Sequence, residues 1–184
     1  YTFHVPAPYF RKAFEIDGEV KKSIITLTGL GFYELYVNGH RLTKGILATY
    51  ISNPDDLVYY DEYDITECLV PGKNVLGIML GNGMQNAPGG QIWDFDIAAF
   101  RGAPRTAFCV STEYIDGVID VFEADSSVKT APSPVIFDDL RCGCYYDARL
   151  EIPGWSEPEF DDSAWKNALP AETPRGEKRL CEAE

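Results

Sequence analysis

The sequence predicts an all-β protein, a jelly roll or β-sandwich of antiparallel strands with one or two short helical turns. Three observations carry that prediction. Short runs of alternating apolar and polar residues recur along most of the chain. Asn-Gly, Asp-Gly and Pro-Gly pairs punctuate them, and these residues close tight turns. No stretch keeps a 3.6-residue apolar period over three turns, as a helical layer would require. Strands without helices to cover them bury their apolar faces against one another as two sheets.

The elements follow in order. In "SIITLTGLGFYELYVNG" the alternation runs through Ile25 and Leu27, then Leu35 and Val37. Asn38-Gly39 predicts a type I′ hairpin turn that sets the register, since a slip by one residue would turn Leu35 and Val37 outward. "LVYYDEYDI" is the next strand. "ITECL" predicts one helical turn capped by Asp64 or Thr66 and stopped by Pro71-Gly72. "NVLGIMLGNG" is a strand broken by Gly77 and bounded by Gly81 and Gly83. "TAFCVSTEYIDGVIDVFEAD" predicts a second hairpin about Asp116-Gly117, with Phe108, Val110, Thr112 and Tyr114 alternating. "FDDSAWKNA" predicts another short turn, capped by Asp162 or Ser163. Residues 82–105 form a long insert with Trp93, Phe95 and Phe100, and inserts of that length in compact domains are commonly functional. The expected organisation is a leading segment over 1–9, the sandwich over 10–169, and a polar tail or linker over 170–184.

Bulk properties narrow the function. The 184 residues suit one domain. Sixteen basic against 29 acidic residues give a net charge of −13, so nucleic acid is excluded as a partner for want of a basic footprint. No apolar run is long enough to span a bilayer and no signal peptide stands at the start, so no membrane partner is expected. Five cysteines (Cys68, Cys109, Cys142, Cys144 and Cys181) fit neither a paired disulfide framework nor a zinc module. They read as reduced thiols, which favours the cytoplasm. The chain also reads as a piece of a longer protein, which leaves secretion open.

Catalytic constellations are missing. Asp55-Asp56, Asp138-Asp139 and Asp161-Asp162 are adjacent pairs, and neighbours on a strand point to opposite faces rather than across a substrate. The histidines are His4 and His40, without a Gly-x-Ser-x-Gly elbow, and the "GNG" and "GLG" runs lack a phosphate-binding context. Ligand binding fits better. Sugar sites combine an aromatic platform, hydrogen-bonding carboxylates or amides, and in some cases calcium held by oxygen ligands. Tyr33, Glu34, Asn53, Asp55, Asp56, Asn82, Asn86, Trp93, Asp94 and Asp96 supply those groups at strand ends and loops.

"GLGFYELYVNGHRL", "YDITECLVPGKNVLGIMLGNG" and "YYDARLEIPGWSEPEFDDSAWKNA" resemble the N-terminal β-sandwich domain of bacterial α-L-rhamnosidases over about residues 10–169. That resemblance implies a galactose-binding-like jelly roll within an inverting glycoside hydrolase, whose catalytic carboxylates lie on a separate (α/α)6 barrel. It therefore implies no catalytic residue here, a structural role packing against that barrel of the same polypeptide, and as the alternative a calcium-dependent module for L-rhamnose or plant glycans. A self-contained glycosidase is the remote alternative. The site the resemblance implies takes Tyr33, Glu34, Asn82 and Trp93 for carbohydrate, and Glu34, Asn82, Asp94 and Asp96 for Ca2+. The chain departs from the family pattern at Met84-Gln85, where an aromatic pair is common, and at Cys144, where Glu is common.

Overall fold

The computed structural model describes residues 5–45, 47–87, 94 and 97–182. Two sheets face each other. The first has six strands: β1 (Pro8–Ile16), β3 (Tyr33–Val37), β4 (His40–Arg41), β6 (Gly72–Leu80), β9 (Lys129–Pro132) and β12 (Lys166–Asn167), in the order β12-β9-β1-β6-β3-β4. The second has five: β2 (Val20–Leu30), β5 (Leu57–Asp64), β7 (Arg105–Tyr114), β8 (Ile119–Glu123) and β13 (Glu177–Leu180), in the order β13-β5-β2-β7-β8. A separate hairpin joins β10 (Val135–Asp139) to β11 (Gly143–Tyr146).

The alternation read from the sequence is what closes this sandwich. Ile25 and Leu27 on β2, Leu35 and Val37 on β3, Leu76, Ile78 and Leu80 on β6, and Phe108 and Val110 on β7 meet in one core. Burying each such side chain contributes about 1.5–3 kcal/mol. The same alternation turns Glu34 and Tyr36, at the intervening positions of β3, to the outer face of the six-stranded sheet.

The turns follow their residues. Asn38 and Gly39 both have positive φ (49° and 82°), as a type I′ turn requires. The second hairpin has a three-residue loop where an Asp-Gly pair alone was expected. Gly117 N–H donates to Tyr114 O and Tyr114 N–H donates to Val118 O, so Gly117, at φ 88°, takes the left-handed position after the turn. The "ITECL" segment forms a 3-10 turn over Thr66–Cys68, and the Asp64 carboxylate accepts from Thr66 N and Oγ1. At "FDDSAW" the expected caps, Asp162 and Ser163, are displaced by Asp161, whose carboxylate accepts from Ser163 N. A 3-10 turn over Ala148–Leu150, capped by Asp147, was not foreseen.

The expected boundaries need two corrections. β1 starts at Pro8, within the supposed leading segment, and buried Ala7 exchanges backbone hydrogen bonds with Ser133 and Val135. The supposed tail supplies β13, which pairs in parallel with β5 from Glu177↔Leu57 to Leu180↔Tyr60. The outer edge of β5 offers the backbone groups that "EKRL" satisfies. All four residues are exposed, so no apolar pattern marks this strand in the sequence.

Candidate carbohydrate-binding cleft

The outer face of the six-stranded sheet carries Tyr9 and Arg11 from β1, Glu34 and Tyr36 from β3, and Gly77 and Met79 from β6. Gly77 interrupts this face for a steric reason. A Cβ built on it would lie 2.7 Å from a ring carbon of Trp155, so only glycine lets the indole lie on the sheet. Trp155 stacks on Tyr9 with ring centres 4.0 Å apart and meets Tyr36 edge-on at 5.2 Å. On β1, Arg11 is 2% exposed and fastens the loop that carries Trp155. Its guanidinium donates to Trp155 O (3.0 Å), Glu157 O (2.9 Å) and Phe160 O (3.2 Å), and pairs with the Asp162 carboxylate.

The β10–β11 hairpin forms the opposite wall. Asp138 anchors it by accepting from Asn82 N (2.7 Å), Asn82 Nδ2 (2.8 Å) and Gly83 N (3.2 Å). Between the walls lies a cleft of about 940 Å³, lined by aromatic rings and carboxylates. Tyr36 donates to Glu34 Oε2 at 2.6 Å, and Arg41 pairs with the other oxygen of Glu34 at 3.0 Å. On the other wall Tyr146, a residue 54% exposed, donates to Glu151 Oε1 at 2.6 Å. Arg149 closes onto Asp147 through Nε at 2.8 Å and Nη2 at 2.6 Å. Fixed carboxylates beside an open aromatic face can hold a polyhydroxylated ring, accepting from hydroxyl pairs while the ring's C–H face stacks.

The phenols report this electrostatic setting. Burial, and then the neighbouring Tyr146, Glu151 and Glu34, push Tyr9 up to about 12. The hydrogen bond to Glu151 is the main reason that Tyr146 also rises to about 12. The folded protein therefore keeps protons that the unfolded chain releases near an ordinary phenol value of 10. This contribution to stability is whole below about pH 10 and is lost as pH rises towards 12. A phenolate absorbance titration should show both groups ionising late, with the unfolding midpoint falling across the same window. Ionisation of all phenols at the ordinary value would contradict the geometry.

The residues expected at the site divide. Glu34 lines the cleft. Tyr33 does not offer a sugar platform: its side chain points into the core, fully buried, and its hydroxyl bonds Asp61 and Tyr63. Asn82 is also fully buried, with its amide donating to Val5 O (2.7 Å) and Asp138 and accepting from Asn86, so it is a bracket rather than a contact. Trp93 and Asp96 lie outside the described residues, and Asp94 is exposed with φ 48°. Of the residues expected for Ca2+, Glu34 pairs with Arg41 and Tyr36 and Asn82 is buried; among the described residues no group of three or more His, Cys, Asp or Glu is arranged to hold a metal. Tyr9, Tyr36, Tyr146, Glu151 and Trp155 were not anticipated as site residues, although strand alternation places Tyr36 beside Glu34 and the "YYDARLEIPGW" stretch contains three of the five.

Comparison with known proteins settles the family. The model of the "Alpha-L-rhamnosidase N-terminal domain" family matches residues 18–184. The chain belongs to that family. An α-L-rhamnosidase of Formosa agariphila is 36% identical to this rhamnosidase N-terminal domain over 161 residues, 86% of the chain but 17% of that protein. The α-L-rhamnosidase structure from "Dictyoglumus thermophilum" superposes on it with a TM-score of 0.86 at 36% identity, covering 95% of this chain and 19% of that one. The Streptomyces avermitilis α-L-rhamnosidase, solved in complex with L-rhamnose, also gives 0.86, at 28% identity, covering 94% of this chain and 17% of that one. The rhamnosidase N-terminal domain thus spans under a fifth of the length of each of these relatives.

Proposed function

We propose that this chain is a non-catalytic accessory domain of an α-L-rhamnosidase and that its cleft holds carbohydrate. The observation that carries this is the pairing of an open Tyr146 ring with two tyrosine-held carboxylates, Glu34 and Glu151, across one cleft. A second surface suits a different task. Ile115, Val118, Ile119 and Val121 are exposed together on the β7–β8 hairpin, at the edge of the five-stranded sheet. That apolar edge supports docking onto the (α/α)6 barrel of the same polypeptide.

Calorimetric titration with a neutral α-L-rhamnosyl-glucose disaccharide tests the cleft. Heat should appear, and Tyr146→Ala should weaken binding by about tenfold while moving stability within about 0.5 kcal/mol, because the ring is exposed. No heat with the protein folded, or unchanged binding in the variant, would remove carbohydrate from this cleft.

A further inference from the structure

The cleft lining carries five carboxylates, from Glu34, Asp138, Asp139, Glu151 and Glu157. No lysine, arginine or histidine is among the described residues that line it. Arg41 reaches Glu34 from outside the lining and offsets one of these charges, and Asp138 is engaged by backbone and amide donors of the 82–83 turn. Setting Arg41 and Arg141, both outside the lining, against two of the five carboxylates leaves three, so the cleft keeps a net negative field within a chain whose formal charge is already −13. A neutral hydroxyl-rich ring meets acceptors here. An anionic ring meets like charge at close range, partly shielded from solvent by Tyr9, Tyr36 and Trp155.

We infer that this cleft discriminates by charge, accepting neutral saccharides and turning away those that carry uronate or sulfate groups. The inference rests on the cleft being a saccharide site, and it narrows the ligand class within that reading. Recognition comes from carboxylates that accept hydroxyl protons, and the same carboxylates repel a substrate carboxylate that has none to give.

The test uses a matched pair, α-L-rhamnosyl-glucose and α-L-rhamnosyl-glucuronic acid, which differ only in a hydroxymethyl group against a carboxylate. Titrated at low salt, the neutral disaccharide should bind at least about tenfold more tightly. The gap should narrow as salt screens the field. Glu151→Gln, an isosteric change at an exposed position, should narrow it without added salt. Equal affinity for both disaccharides, or preference for the uronate, would overturn the charge filter and leave the saccharide site standing. Heat from neither would overturn the site and the filter together.

Discussion

Arg11→Ala should lower the free energy of unfolding by about 3–5 kcal/mol, the range for removing one partner of a buried ion pair. Arg11 is 2% exposed, and one guanidinium serves four acceptors on the 155–162 loop. Alanine would strand the Asp162 carboxylate, whose side chain is 23% exposed, and leave three carbonyls without this donor. Lysine should not rescue, since a single ammonium cannot reproduce a planar fork that reaches several acceptors. Urea unfolding measures the effect, and a loss under about 1 kcal/mol would show that the loop is held by its aromatic rings alone.

Trp155→Ala should cost about 3–5 kcal/mol, in the range of buried aromatic truncations. The indole is 9% exposed and packs on Tyr9, Tyr36 and Gly77. A double-mutant cycle separates packing on Gly77 from the rest. Gly77→Ala alone should destabilise by about 1–3 kcal/mol through overpacking against the ring. In the Trp155→Ala background the same change should cost clearly less, because the two ring contacts are gone and only the close approach to Ser156 Cβ, at 3.0 Å, remains. Additive effects would mean that Gly77 serves the backbone and not the indole. Both single variants should also weaken the rhamnosyl-glucose disaccharide, since Trp155 forms part of the cleft wall.

What could be read from the sequence depended on whether a residue's role is decided locally. Alternation placed Leu35 and Val37 in the core, and Asn38-Gly39 fixed its turn by backbone conformation alone. The β-sandwich and its family followed from such local signals. Asn82 was misread because its partner, Asp138, lies 56 positions away, on a hairpin whose closure over the turn at Asn82 no local pattern reveals. Tyr33 was misread for a related reason. A tyrosine at a strand end looks like a platform until Asp61 and Tyr63 on the facing sheet claim its hydroxyl. Strand β13 stayed hidden because a short edge strand held by backbone hydrogen bonds asks nothing of its side chains. The cleft lining draws on the 143–157 stretch, which the site expectation did not include although most of it lies within the "YYDARLEIPGWSEPEFDDSAWKNA" motif.

The Arg11–Asp162 contact joins residues 151 positions apart, and this orders events in time. Strand β1 waits first for β6, through pairs such as Arg11↔Gly77, and then for β9. Non-local pairing of this kind makes folding slow, on the scale of milliseconds to seconds. On a ribosome, the central strands of both sheets emerge early and their core can assemble once β7 is out, while Arg11 still lacks its acceptors. The cleft matures only when the 155–162 loop arrives and docks. The sandwich and the cleft are thus completed at different moments of synthesis, and a nascent chain halted between them would carry a formed sandwich whose cleft lacks one wall.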